Sequence, residues 1–158
     1  MKYTDHELQE HELNFWVNSY NPPFFHIDFY KQFFDFKNLV GKKVVDIGCG
    51  GAPISDYCGV NGINLTIVDP LIDNLIKHPK YEHLKKYNYF SNSLFDFTEK
   101  NYDFLICLNV IDHFNDPQYS VIDKFSDILS ENGELWLYYD LRTKDDGDHL
   151  MIDNGKNN

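Results

Sequence analysis

The chain has 158 residues, with 14 Lys and Arg against 25 Asp and Glu, a net charge of −11. That length fits one domain with a real core, and 42% hydrophobic with 25% charged residues excludes wholesale disorder. The acidic balance, with Arg142 the single arginine, argues against nucleic acid, and no apolar run approaches the ~20 residues of a membrane helix.

Residues 4–20 read as a helix. Thr4 and Glu7 form a capping box, and Leu13, Trp16, Val17 and Tyr20 recur on one face. Pro22 and Pro23 stop it, and residues 25–37 read as a second, strongly aromatic helix. From Lys43 the pattern changes. Short apolar runs at Val44–Ile47, Leu65–Val68, Tyr87–Phe90, Phe104–Leu108 and Glu134–Tyr139 alternate with helix candidates at 53–59, 71–86 and 117–130. The last has Asp116 as N-cap, Pro117 at its first turn and Val121, Ile122, Phe125, Ile128 and Leu129 on one face, with Asn132-Gly133 closing the connection. Alternation of this kind predicts an α/β fold: a doubly wound, mostly parallel sheet of about five strands, residues 41–158, preceded by an N-terminal helical lid or extension, residues 1–40. Cys49, Cys58 and Cys107 are odd in number and lack metal spacing, which with the absence of an apolar leader core predicts reduced thiols and a cytoplasmic setting.

The chemistry concentrates in Val44-Val45-Asp46-Ile47-Gly48-Cys49-Gly50-Gly51-Ala52-Pro53, a buried strand running into a glycine turn. Glycines let the backbone approach a ligand closely, and a helix starting at Pro53 would offer N–H groups to it. The dinucleotide pattern G-x-G-x-x-G fails here because its third glycine is Pro53. The pattern D-x-G-x-G holds, and with it the chain resembles class I S-adenosylmethionine-dependent methyltransferases over residues 40–140. Ala52 departs from the third glycine of many members. The resemblance implies a Rossmann-like fold and S-adenosyl-L-methionine as cofactor, with Asp46, Gly48, Cys49 and Gly50 at its methionine end. Asp69, at the end of the second strand and followed by Pro70, would take the ribose hydroxyls, although an Asp before a proline also reads as a plain cap. Asn92, Ser93 and Leu94 after the third strand would contact adenine, with Asn92 where the family usually carries Asp. Asn109 and the Asp112-His113 pair follow the fourth strand, facing the transferred methyl group. His113 is the candidate base and His149, after the fifth strand, a second one.

Asn21-Pro22-Pro23-Phe24 spells a motif of enzymes that methylate adenine in DNA, but there it follows the fourth strand, and here it reads as a helix stop. Asp145, Asp148 and His149 lack a second cluster at metal-ligand spacing, so no metal site is expected. The expected activity is methyl transfer to a small-molecule or sugar-type acceptor, with neither nucleic acid nor membrane as partner. The other reading is a cofactor-binding protein without turnover, or the partner subunit of an active enzyme. After Asp140 only 18 residues remain, which leaves no room for the sixth and seventh strands of the family. The fifth strand would then be an apolar edge, and a homodimer or partner contact is expected there.

Overall fold

A computed structural model describes residues 5–19, 27–114 and 116–139. Thr4 of the capping box, Tyr20, the Asn21–Phe24 motif, and the whole Asp140–His149 segment with its candidate base lie outside the described residues.

Five strands form one sheet: β1 (Lys43–Ile47), β2 (Asn64–Val68), β3 (Asn88–Phe90), β4 (Tyr102–Leu108) and β5 (Leu129–Tyr138). Their order is β3-β2-β1-β4-β5, and every pair is parallel. The chain therefore winds outward from β1 in both directions, the doubly wound arrangement that the alternating pattern predicts. Successive strand residues face opposite sides, so β1 sends Val44 into one core and Val45 and Ile47 into the other. The first core holds Tyr30, Leu39, Ile67, Ile72, Tyr81, Ile106 and Trp136. The second holds Val68, Phe97, Tyr102, Leu105, Val121, Phe125 and Ile128. Burial on both faces explains why these strands read as unbroken apolar runs.

The helices are shorter than the sequence pattern predicts. The first, α1 (Asp5–Asn14), widens into a π turn over Phe15–Ser19. The second is only one turn, α2 (Ile27–Tyr30), followed by a 3₁₀ segment Phe36–Leu39. Asp35 caps that segment, accepting the Lys37 N–H at 3.1 Å, and this local bond ends any continuous helix through 25–37. In place of a helix over 53–59 there is one 3₁₀ turn, Ile54–Asp56, because Gly59 and Gly62 adopt φ of +74° and +83° immediately downstream. The predicted 71–86 helix splits into α3 (Ile72–Leu75) and a 3₁₀ segment Pro79–Lys86. Pro79 holds His78 in an extended conformation, with ψ of 130°.

The most regular helix is α4 (Gln118–Ile128), whose Val121, Phe125 and Ile128 are buried. Its cap is Pro117, without any side-chain bond, rather than Asp116. The chain passes straight from α4 into β5, five residues before the expected Glu134. Asn132-Gly133 therefore lies inside the strand, where pairing shifts between Tyr102–Leu129 and Phe104–Glu134. A side chain at Gly133 would stand 2.8 Å from the Tyr102 carbonyl, so the irregularity needs glycine. Among the described residues no helix is long and apolar enough to cross a membrane.

Candidate cofactor site

Parallel strands bring their carboxyl ends to one end of the sheet, where the loops after β1, β2, β3 and β4 meet. Backbone bonds tie these loops together: the Gly48 N–H donates to the Val68 carbonyl at 2.8 Å, Asp69 to Phe90 at 3.1 Å, and Asn109 to Tyr138 at 2.8 Å.

Asp46 lies on β1 itself, and its Oδ2 accepts the Ile54 N–H at 2.8 Å. The N–H expected to greet a ligand from a helix start is thus already satisfied by Asp46. Burial pushes the Asp46 carboxyl up to about 7; the Ile54 bond opposes this, and the nearby Asp69 charge adds to it. Asp69 follows β2 and clasps two loops. Its Oδ2 accepts the Gly50 N–H at 2.8 Å, across nineteen residues, while its Oδ1 accepts the Leu71 N–H at 2.8 Å. Asp69 is therefore both the cap of its own turn and a strut under the glycine loop. Burial raises its pKa against the pull of those two bonds; the charge of Glu12 also raises it, and that of His113 lowers it.

The glycine turn is closely covered. Gly48 has φ of +72°, and a Cβ there would stand 2.4 Å from a Val110 methyl. Gly50 has φ of +53°, and a Cβ there would stand 2.2 Å from the Trp16 indole. The Trp16 carbonyl accepts the Tyr81 hydroxyl at 2.5 Å and the Lys80 ammonium at 3.1 Å, which seats the π turn against the 3₁₀ segment before β3. Cys49 is buried beside Gly50, and burial and the two carboxylates hold its thiol well above the ordinary range, so it is not a nucleophile.

The other expected contacts are more dispersed. Asn92 and Ser93 are exposed, and the Ser93 hydroxyl accepts the Phe95 N–H at 3.3 Å as the cap of the turn Leu94–Asp96. Leu94 is 3% exposed and packs in the second core. Pro70 is exposed. Asn109 adopts φ of +58°, a left-handed conformation that Asn tolerates better than most residues, and this turns the chain sharply after β4. His113 is half-buried, its Nδ1 standing 3.4 Å from Oε1 of Glu12 on α1. Glu12 was missed by motif reading because it lies a hundred residues from His113 in sequence. The available signal was its place one turn before Trp16, on the segment whose Leu13 and Val17 meet the core. A surface hollow of about 490 Å³, lined by residues including Lys31, Phe33, Asp35, Cys58 and Val60, shares none of these groups.

Residues 23–154 match the methyltransferase-domain family. The chain belongs to that family. Within it, the chain is 32% identical over 107 residues to a ubiquinone biosynthesis O-methyltransferase of Vibrio atlanticus, covering 63% of this chain and 44% of that protein. It is 34% identical over 110 residues to the protein of the same name from Glaesserella parasuis, covering 63% and 45%. The match thus spans under half the length of either relative. Among solved structures, this methyltransferase-domain chain is similar to the N-methyltransferase NodS of Bradyrhizobium japonicum, in complex with S-adenosylhomocysteine. That likeness has a TM-score of 0.57 at 18% identity, over 84% of this chain and 71% of the other. A 1,6-didemethyltoxoflavin N1-methyltransferase of Burkholderia thailandensis gives a TM-score of 0.61 at 14% identity, over 85% and 64%. At such identities these likenesses establish a shared fold.

Proposed function

We propose that the chain binds S-adenosylmethionine at the carboxyl ends of β1–β4 and directs its methyl group to a hydroxyl of a small molecule, sugar hydroxyls included. The observation that carries this reading is the bond from the Gly50 N–H to Asp69, which unites the glycine turn and the acid of the second strand in one site. The donor set suits the cofactor. Asp46 and Asp69 are buried carboxylates, and among the described residues neither is paired with Lys or Arg, so a cationic ligand would relieve their burial. Both Asp69 oxygens already accept one backbone N–H, and each retains a lone pair for a ribose hydroxyl. The hydroxyl acceptor follows the curated relatives, which are named as O-methyltransferases.

When bound, the cofactor supplies an electrophilic methyl group on a sulfonium that loses its charge on transfer. The chain's part is largely to hold and orient. Asp46, Gly48, Cys49 and Gly50 would hold the methionine end, Asp69 and Pro70 the ribose side, and Asn92, Ser93 and Leu94 the adenine. Asn109 shapes the loop that carries His113, and His113 would accept the proton of the acceptor hydroxyl.

Calorimetric titration with S-adenosylmethionine, S-adenosylhomocysteine and NAD tests the reading. Both sulfur ligands are expected to bind and NAD is not. Failure of both sulfur ligands overturns it, and NAD binding alone would restore a dinucleotide site. Tight cofactor binding without methyl transfer to a panel of hydroxylated small molecules would leave a binding protein without turnover.

A further inference from the structure

The segment that covers the glycine turn also reaches the candidate base. Glu12 and Trp16 lie four residues apart, one helical turn, on the same stretch of chain. Glu12 stands 3.4 Å from the His113 Nδ1 after β4, while Trp16 covers Gly50 after β1. Leu13, between them in sequence, and Val17, just after Trp16, pack on the first core, which fixes the rotation of the segment. Glu12 and His113 are each 29% exposed in their side chains, so the pair is partly shielded from solvent.

We infer that Glu12 is a positioning residue for His113: its carboxylate accepts the Nδ1–H and thereby leaves the lone pair on Nε2. An imidazole's two nitrogens are distinct, and a partner at one sets the proton-accepting role of the other. This rests on the reading of His113 as the base. In that role the acceptor O–H bond breaks and its proton passes to Nε2, the oxygen forms its bond to the methyl carbon, and the sulfur keeps the electron pair of the broken S–C bond. The imidazolium so formed keeps its Nδ1–H on Glu12. Among the charged groups that bear on His113 are Glu12, from α1, and Asp69, from the loop after β2. Glu12 stands at its Nδ1, while Asp69 is committed to Gly50 and Leu71.

The test reads the imidazole directly, on the full chain without cofactor, by long-range proton–nitrogen correlation spectra at a pH where His113 is neutral. His113→Gln assigns its signals. The wild-type chain is expected to show a protonated Nδ1 and an unprotonated Nε2. Glu12→Ala is expected to shift those resonances toward a mixture of tautomers, and Glu12→Gln, which retains a carbonyl acceptor, to restore the wild-type pattern. Identical tautomer signals in wild type and Glu12→Ala overturn the inference, as does an Nε2–H tautomer in wild type. S-adenosylhomocysteine affinity measured on the same variants separates the two questions: its absence in the wild-type chain sinks the cofactor reading, whatever the tautomer of His113.

Discussion

The Trp16 indole lies so close over Gly50 that a methyl carbon on that glycine would sit 2.2 Å from the ring. Two costs therefore meet at one position, the positive φ of Gly50 and the ring above it.

Gly50→Ala is expected to destabilise the chain by at least ~1 kcal/mol from backbone strain alone, with the displaced indole adding to it. Denaturant unfolding measures the total. Trp16→Ala in the same background removes the clash but leaves the strain, so the double variant should cost less than the sum of the single ones. Strict additivity would show that the two residues are not in contact.

Asp46 supplies a pH dependence whose sign follows from burial. Its folded pKa is raised from the model-peptide value of 3.8 to about 7, so the folded chain holds this proton more tightly than the unfolded chain does. Stability from this group is present below pH ~4 and is lost as pH rises toward 7. Asp46→Asn removes the buried charge while its amide oxygen can still take the Ile54 N–H. It is expected to raise the melting temperature relative to wild type more at pH 8 than at pH 5. An equal change at both values would show that Asp46 is not a strongly perturbed acid.

Cofactor binding should carry the same proton. A cationic ligand favours the ionised carboxylate, so its affinity should rise with pH up to about 7 and binding below that should release a proton. Calorimetry in buffers of differing ionisation enthalpy counts that proton directly. A count of zero near pH 6 in wild type, or an undiminished count in Asp46→Asn, would disprove the assignment.

Asp69→Ala strands two buried N–H groups, those of Gly50 and Leu71, at roughly 1–3 kcal/mol each. Asp69→Asn offers an acceptor at only one position, so about half of that loss is expected. Urea midpoints rank the three proteins. Equal stability of Asp69→Asn and wild type would show that one of the two bonds is not made.

Away from the site, Trp136 is boxed by Phe34, stacked at 4.9 Å, and by Phe104 and Phe36 at 5.2 and 5.7 Å, edge-on. Trp136→Ala is expected to cost about 3–5 kcal/mol, measured by denaturant unfolding, because three phenyl rings lose the indole they share. A cost under ~1 kcal/mol would mean that β5 is held by its backbone ladder alone.

Strand positions were legible because burial on both faces writes itself as short apolar runs, and Asp46, Gly48, Gly50 and Asp69 follow from where such runs end. Helix lengths were not. The aromatic stretch 27–36 has no single apolar stripe: it buries Tyr30 and Phe36 and leaves Phe33 62% exposed. At Pro79 a local backbone rule outweighed the surrounding periodicity. Glu12 and Val110 were invisible to motif reading because their meaning lies in what they touch across the fold. The bond from Gly50 to Asp69 is of the same kind. Each residue could be named from sequence, but not that one holds the other.

That bond also orders events during folding. Nineteen residues and a strand crossover separate its ends, so the glycine turn is held in shape only after β2 has docked beside β1. A chain with unpaired strands has no formed pocket, and any ligand that binds there binds the finished sheet. Ligand occupancy is thereby linked to completion of the fold, stabilising the native chain by mass action and giving nothing to half-assembled forms.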